Sequence, residues 1–417
     1  MLQLKSRILA GWLISLSSAA VLAQTLPAHV FSRGVEQANV LLVDKSARQA
    51  HLIEIQDDKP VSVRTYTDLL FGENDGPKVI AGDKKTPEGV YQVTRFLTGA
   101  ELDARYGAGA FPLNYPNPID QIEGRAGDGI WLHGRDDTDQ EKIVTRGCVA
   151  FTNPDIAGLR DILTDHTSVV LASEIDYVTT TSYTRERERL LRLLDDYLAA
   201  WETSDFVALD GLLHSEFQAG DKDRAAWLER KRWIHQAVPQ RVINAQNVQI
   251  LREDEDQVMY QYTQSYCADN IYTRGTKRLY FKAQDGQLKL VTERFSPLPT
   301  LPMDKTRLSN FISAWLQSWN DGDIRNYIRH YSRQFTDNKG RDLAAYEAYK
   351  ADIFRQRPDQ QINLEQVQIT PLRGNRYQLN FTQIYTSRSY RDKGKKTLIV
   401  NGCQDKLVIE KETWAAL

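Results

Sequence analysis

The stretch Gly129–Asn153 reads GIWLHGRDDTDQEKIVTRGCVAFTN and combines an apolar segment, a polar run and a cysteine motif. Its residues 130–132, Ile-Trp-Leu, are typical of a strand that leads directly into His133. Cys148 follows His133 by 15 residues, which is too far for neighbours on one helix but suits two strands lying side by side. The stretch therefore predicts a β-sheet that presents a histidine and a cysteine together.

The residues around Cys148 favour a reactive thiol. A cysteine attacks as its thiolate, and a free thiol titrates near ~8.5, so it needs a base and positive surroundings. His133 is the candidate base, and Arg146 is the candidate electropositive neighbour and anion binder. Gly147 allows either a close approach of the backbone or a conformation that other residues avoid. The alternative role for Cys148 is that of a small buried apolar residue.

Composition and spacing argue against other classes of function. The remaining histidines show no zinc-ligand spacing, and one cysteine with one histidine is too few ligands for a structural zinc site. We therefore expect no metal and no cofactor. The net charge of −2 gives no support for a nucleic-acid partner, whose electrostatic footprint is a basic surface.

The N-terminal segment has the pattern of an export signal. Lys5 and Arg7 precede the apolar residues 8–23, which end in the sequence Val-Leu-Ala that suits a signal peptidase. About sixteen apolar residues fall short of the ~20 that a membrane-spanning helix needs. We therefore expect residues 1–23 to be a signal peptide, with no stable membrane span after its cleavage and a periplasmic mature protein.

Two motifs in this part of the chain resemble the catalytic domain of the L,D-transpeptidases, also called the YkuD domain. The pair His133-Gly134 followed by residues 145–149, TRGCV, is similar to the family signature HG…[S/T]-x-G-C-[V/I]. Residues 78–91, KVIAGDKKTPEGVY, are similar to its K-x₃-GD-x₂-TPEG-x-Y stretch, and residues 111–117 contain a YPN segment found in one subgroup. The resemblance implies a mainly β catalytic domain over residues 24–178, a YkuD-type β-sandwich with short helices.

The resemblance also implies roles for individual residues. It makes Cys148 the nucleophile and His133 the general base, with the backbone carbonyl of Gly134 orienting the imidazole and the N–H groups of Gly147 and Cys148 holding the oxyanion. The residues expected to bind substrate are Thr145, Arg146, Gly147, Tyr115, Trp131, Arg125 and Lys84. Arg146 and Ala150 stand where the family more often has His and an Arg or Asn, which puts the use of an amine acceptor in doubt.

The rest of the chain contains an internal duplication. Residues 260–266, YQYTQSY, align with residues 379–385, LNFTQIY, at a shift of 119. A unit of about 115–120 residues has the size of a domain rather than of a solenoid repeat. Each copy begins with an amphipathic helix, and we expect its long strands to be joined by turns at Arg274-Gly275 and Lys393-Gly394.

This order of elements resembles the nuclear-transport-factor-two-like (NTF2-like) fold, an α+β cone. The resemblance implies two such domains, at residues 184–298 and 305–417, with a possible protein or glycan ligand. The sequence of neither copy shows a carboxylate–His constellation that would make it catalytic. Cys267 and Cys403 lie in different copies, so two inert thiols are the favoured interpretation, although a disulfide between them stays open.

The TRGCVA variant, the YPN segment and the appended domain together look like the L,D-carboxypeptidases that trim peptidoglycan stems in curved and helical bacteria. The implied reaction is attack by Cys148 on the carbonyl at the L-centre of meso-diaminopimelate, which expels D-Ala from a tetrapeptide stem. Three alternatives remain: an L,D-transpeptidase that forms 3-3 cross-links, an amidase that releases wall-linked lipoprotein, and a non-enzymatic wall-binding scaffold. Peptidoglycan stem peptides are the expected partner of the enzymes.

Overall fold

The computed structural model describes residues 25–135, 143–268, 271–299, 305–372, 376–403 and 406–417. The expected signal peptide, residues 1–23, and most of the polar run of the cysteine motif, residues 136–142, lie outside the described residues. Within the described ranges no helix is both long enough and apolar enough to span a membrane.

The N-terminal region is mainly β, as the sequence predicts. Its strands are β1 (Thr25–Pro27), β2 (Val30–Arg33), β3 (Gln37–Asp44), β4 (Gln49–Gln56), β5 (Lys59–Tyr66), β6 (Gly89–Gln92), β7 (Ala110–Pro112), β8 (Trp131–His133), β9 (Val149–Ala150), β10 (Ser168–Ala172) and β11 (Tyr177–Thr179). Its helices are α1 (Pro118–Ile122) and α2 (Asn153–Leu159), and it has 3₁₀ turns at Gly99–Glu101 and Ala104–Tyr106.

Two sheets of this region share one apolar core. The larger sheet has the order β5-β4-β3-β10-β6, and the smaller has the order β7-β8-β9. Leu41 and Val43 of β3 are buried in the same cluster as Leu132 of β8 and Val149 of β9. Alternate residues of each strand therefore point into the core, which leaves the other face of the small sheet to carry His133.

The C-terminal region consists of two α+β units, which we call copy 1 and copy 2. Copy 1 contains α3 (Thr180–Thr203), α4 (Phe206–Leu212), β12 (Gln218–Ala219), β13 (Lys222–Asp223), α5 (Arg224–Ala237), β14 (Val242–Arg252), β15 (Gln257–Ala268), β16 (Ile271–Gln284) and β17 (Gln287–Pro297). Copy 2 contains α6 (Lys305–Asn320), α7 (Ile324–Ile328), β18 (Tyr331–Asp337), α8 (Leu343–Gln356), β19 (Gln361–Pro371), β20 (Arg376–Thr386), β21 (Arg391–Cys403) and β22 (Lys406–Ala416).

The prediction of turns at two glycines is wrong. Gly275 lies inside β16 and Gly394 lies inside β21, each paired on both sides within its sheet. A Cβ at Gly275 would come within 2.5 Å of the Phe295 ring, and one at Gly394 within 2.5 Å of the Trp414 ring. The glycines are therefore there because an aromatic side chain of the neighbouring strand crosses over the backbone.

A segment from the start of the described chain completes the sheet of copy 1. Its strand order is β17-β16-β15-β14-β2, so residues 30–33 pair with a strand of the C-terminal region. The buried ring of His29 beside this strand donates from Nδ1 to the carbonyl of Arg252 at 3.0 Å and accepts at Nε2 from the N–H of Asp176 at 2.9 Å. These contacts join the N-terminal region to copy 1 through backbone groups.

The core of copy 1 contains a buried ionic cluster. Lys277 Nζ lies 2.7 Å from a carboxylate oxygen of Glu293, and Lys231 Nζ lies 3.8 Å from the other oxygen. Lys231 Nζ also lies 3.7 Å from the centroid of the Trp201 ring, where a cation is attracted by the negative ring face. The single carboxylate therefore serves two buried ammonium groups.

Copy 2 repeats this cluster with lysines and glutamate at the same spacing of 119 residues. Lys396 Nζ lies 2.7 Å from Glu412, and Lys350 Nζ lies 3.9 Å from the centroid of the Trp319 ring. Burial lowers the pKa of Lys350 to about 7, an effect strengthened by the nearby charge of Lys396 and opposed by that of Glu412. The duplication has therefore kept the interior charges as well as the fold.

The cysteines differ in chemical state. Cys148 is in no disulfide, whereas Cys267, buried against Val242 and Val408, is disulfide-bonded. The expectation that Cys267 is an inert thiol is therefore wrong. The side chain of Cys403 lies outside the described residues.

Lys350 should make the stability of the protein depend on pH. Its pKa is about 7 in the folded protein and 10.5 in its ordinary state, so between these values the unfolded chain binds more protons. The free energy of unfolding should therefore rise as the pH is raised from neutral toward about 9. Urea denaturation of wild type and Lys350→Met checks this, because the variant should lose part of the rise. An identical slope in both proteins would contradict it.

The two cysteine states should be separable by alkylation. In denaturant without reductant, iodoacetamide should modify the peptide that carries Cys148 and leave the peptide that carries Cys267 unmodified. Adding a reductant before alkylation should make Cys267 reactive, as measured by peptide mass mapping. Modification of Cys267 without reductant would disprove its disulfide bond.

Candidate active site

The register of two short strands brings His133 and Cys148 to one face of a sheet. Strands β8 and β9 are parallel, with Leu132 opposite Val149 and His133 opposite Ala150. Cys148 directly precedes β9, two residues before Ala150, and from the alternation of side chains we infer that it lies on the same face as His133. His133 is the last residue of β8, and Cys148 directly precedes β9, so the two segments lie next to each other while the roles of the two side chains stay a prediction.

The His133 ring is held in one orientation and one tautomer. Its Nδ1 lies 2.5 Å from the carbonyl oxygen of Gly134, which only accepts hydrogen bonds, so Nδ1 carries a proton. In the neutral ring Nε2 then keeps the lone pair that a general base requires. The Tyr106 ring packs edge-on against the imidazole at 5.1 Å between centroids, a contact that the sequence did not predict.

Cys148 is partly exposed, so its sulfur can meet a substrate. The Sγ atom donates a hydrogen bond to the carbonyl of Gly129 at 3.4 Å. This bond is long and weak, as expected for a thiol donor. It orients the side chain and leaves the thiol able to react.

Thr145 shapes the turn that leads into Cys148. Its hydroxyl donates to the carbonyl of Cys148 at 2.8 Å and accepts from the N–H of Gly147 at 3.0 Å. Its backbone N–H donates to the carbonyl of Phe71 at 2.7 Å, which ties the turn to a second loop. Thr145 is thus buried beneath the turn, and the N–H of Gly147 is engaged by it.

Gly147 is required by both space and conformation. Its φ is +125°, in the region that favours glycine, and a Cβ there would lie 2.7 Å from the carbonyl oxygen of Lys85. Residues 78–85 form that neighbouring loop, which folds around Asp83. The Asp83 carboxylate accepts from Lys78 Nζ at 2.7 Å and from the N–H groups of residues 79, 80 and 85.

Asp83 is therefore a structural anion. Burial opposes its ionisation, but the hydrogen bonds from Lys78 and the three backbone groups outweigh burial and hold its pKa below the ordinary value. Asp83 of the Gly-Asp pair thus builds the loop that supports Gly147.

Asn153 anchors the backbone around His133, and sequence analysis missed it. Its Oδ1 accepts from the N–H groups of Ala108 at 2.9 Å and Arg135 at 3.1 Å, and its Nδ2 donates to the carbonyl of Arg135 at 3.0 Å. A Cβ on Gly134 would lie 2.2 Å from Asn153 Oδ1, so a glycine at this position leaves room for the Asn153 amide. We call the hydrogen bonds of Asn153 to residues 108 and 135 the Asn153 clamp. Thr152, one residue earlier, caps α2.

Two of the expected substrate-binding cations are occupied by carboxylates. Arg125 lies 2.6 Å from Glu123 and 3.3 Å from Asp120, and Lys84 Nζ lies 2.5 Å from Glu73. Both cations are therefore already ion-paired with carboxylates of this chain.

The other expected substrate-binding side chains divide into buried and exposed ones. Tyr115 is buried and donates from its hydroxyl to the carbonyl of Ala126 at 3.3 Å, and Trp131 packs on Tyr106 at 4.7 Å between centroids. Arg146 is exposed and directly precedes the Gly147-Cys148 turn. Among the described residues, no group of three or more His, Cys, Asp or Glu side chains is arranged to hold a metal ion.

Two family models match the chain. Residues 38–171 match the L,D-transpeptidase catalytic domain, YkuD, and residues 189–294 and 307–413 each match the Cds6 C-terminal NTF2-like domain. A putative L,D-transpeptidase of Escherichia coli, YafK, is 37% identical over 81 residues, which span 19% of this chain. Those residues cover 29% of YafK, so the likeness is to part of that relative.

Two solved structures have the same fold over most of their length. Bd1075 of Bdellovibrio bacteriovorus superposes with a TM-score of 0.60 at 25% identity and covers 67% of this chain and 100% of its own. The helical cell shape determining protein Pgp2 of Campylobacter jejuni superposes with a TM-score of 0.55 at 23% identity, covering 64% of this chain and 95% of its own. By the two family models, this chain therefore belongs to the proteins that combine an L,D-transpeptidase catalytic domain, YkuD, with Cds6 C-terminal NTF2-like domains.

Proposed function

We propose that this protein is a cysteine-dependent L,D-carboxypeptidase that removes D-Ala from the tetrapeptide stems of peptidoglycan in the periplasm. The observation that carries the proposal is the common face of His133 and Cys148, with the Nδ1 proton of His133 held by Gly134. The family supports cell wall modification. The name of Pgp2, a helical cell shape determining protein, supports a role of this wall modification in cell shape.

Acylation starts with transfer of the Cys148 thiol proton to Nε2 of His133. The thiolate attacks the carbonyl at the L-centre of meso-diaminopimelate, forming a C–S bond and an oxyanion. Backbone N–H groups such as that of Cys148 stabilise the oxyanion, by about 3–4 kcal/mol per donor in comparable sites. Gly147 contributes as a second donor only if its N–H leaves Thr145. Collapse breaks the C–N bond, and His133 protonates the departing amine of D-Ala.

Deacylation uses the same histidine. Water attacks the thioester carbonyl while His133 takes one of its protons, and collapse then breaks the C–S bond. The tripeptide leaves as a carboxylate, and the Cys148 thiol is restored.

Two features support water as the acceptor and Arg146 as a binding group. Ala150 is buried and offers no polar side chain at the position where relatives more often have Arg or Asn. Arg146 is exposed beside the cysteine turn, whereas Arg125 and Lys84 are ion-paired. The guanidinium of Arg146 therefore suits the terminal carboxylate of the stem.

Incubation of the protein with purified disaccharide-tetrapeptide tests this function. Wild type should release one D-Ala per stem, and Cys148→Ala should release none because the nucleophile is gone, as measured by mass spectrometry. Dimers joined through two diaminopimelates would instead identify a transpeptidase. No change in either sample would favour the lipoprotein amidase or the scaffold.

Asn153→Ala should slow turnover by positioning alone. Loss of the clamp frees the backbone at residues 134–135 and misplaces His133, so we expect kcat to fall roughly ten- to a hundredfold with little change in KM. Thr152→Ala is the matched control, because it removes the cap of the same helix without touching that backbone. Equal effects of the two variants on kcat and thermal stability would mean that Asn153 serves only the helix.

A further inference from the structure

The two C-terminal copies have equivalent strands at one side of their sheets. Strand β14 of copy 1 has an irregularity between Gln246 and Gln249, and β19 of copy 2 has one between Glu365 and Gln368, 119 positions later. Within these bulges, Asn247 has a φ of +52° and Gln366 a φ of +59°. The strands therefore correspond residue by residue.

In copy 1 the edge beyond this bulge is covered. Strand β2 pairs antiparallel with β14, with Phe31 opposite Ile250 and Arg33 opposite Val248. Phe31, Val248 and Ile250 are all 0% exposed and belong to one core cluster. The four-residue strand thus completes both the hydrogen bonding and the apolar packing of the edge.

Helix α3 also forms hydrogen bonds with β2. Tyr183 donates to the carbonyl of Val30 at 3.0 Å, and Arg187 donates to the carbonyl of Ser32 at 2.7 Å. Asp195 accepts from Arg33 at 2.9 Å. Two of these three contacts are made to the backbone of β2 rather than to its side chains, so in copy 1 they do not depend on the sequence of the bound strand.

In copy 2 the corresponding edge is open within the described residues. The strand order is β18-β22-β21-β20-β19, so β19 ends the sheet. Val367 and Ile369, the counterparts of Val248 and Ile250, are 42% and 41% exposed. Residues 366–370, QVQIT, contain neither a charge nor a proline, two of the features that protect natural edge strands, and Pro371 ends the strand.

We propose that β19 binds an extended segment of a partner protein by strand addition, in the manner in which β14 binds β2. A partner segment is favoured over a second copy of this chain, because the equivalent edge of copy 1 is filled by an extended segment of four residues and not by the edge strand of another sheet. Main-chain hydrogen bonds supply the affinity, and an apolar residue opposite Ile369 supplies the specificity.

Copy 2 also restricts the sequence of the segment. Trp201 of α3 matches Trp319 of α6 at a spacing of 118, so Asp195 corresponds to the exposed Ser313. The carboxylate that binds Arg33 is therefore absent from that position. The partner segment has an apolar or aromatic residue in the position of Phe31 and needs no cation in the position of Arg33.

The sequence of β2 itself provides the probe. A fluorescein-labelled peptide AHVFSRG, residues 28–34, should bind the purified full chain saturably, as followed by fluorescence anisotropy. A peptide with Arg33→Ser should bind equally well, and one with Phe31→Asp should not bind. Ile369→Lys should weaken binding at least tenfold, because a charge would face the apolar residue of the peptide. Val61→Lys, at a similarly exposed valine of β5, is the matched control and should bind as wild type does.

Three results would overturn the proposal. The first is the absence of saturable binding to wild type, and the second is unchanged binding to Ile369→Lys with its circular dichroism intact. The third is a dimer in sedimentation analysis that Ile369→Lys converts to monomer without any peptide binding, which would make a second copy the occupant. None of these readouts depends on Cys148, so the outcome is independent of the proposed activity.

Discussion

The parallel pairing of β8 with β9 is the constraint on which the site depends. A shift of one residue in this register would turn Cys148 to the face opposite His133. Strands of three and two residues have few backbone hydrogen bonds to fix a register. Thr145 and Asn153 supply the missing restraint, because each binds two or more backbone groups at the ends of these strands.

The features that the sequence predicts correctly are local or periodic. The apolar triplet before His133 forms a strand, and the amphipathic pattern at the start of each copy forms α3 and α6. The duplication is visible because its spacing is constant over the strands that matter most to the core. Gly147 is predictable because its requirement is local: the backbone of the turn before Cys148 has a positive φ at this position, which favours glycine.

The features that escape prediction are contacts between distant segments. Asn153 has the appearance of a helix cap, and only the fold shows its amide beside residues 108 and 135. Arg125 and Lys84 look available for substrate until their carboxylate partners are seen. Gly275 suggests a turn because its neighbour Phe295, 20 positions later, is invisible to a local pattern.

The insertion of β2 into the sheet of copy 1 has a consequence for the order of folding. His29 and its partner Arg252 are separated by 223 positions, so this sheet cannot be completed until most of copy 1 has been synthesised. Closing so long a loop is costly in entropy and slow, and it comes after the local hairpins have formed. We therefore expect the N-terminal region and copy 1 to complete their folding together, with the pairing of β2 to β14 as a late step.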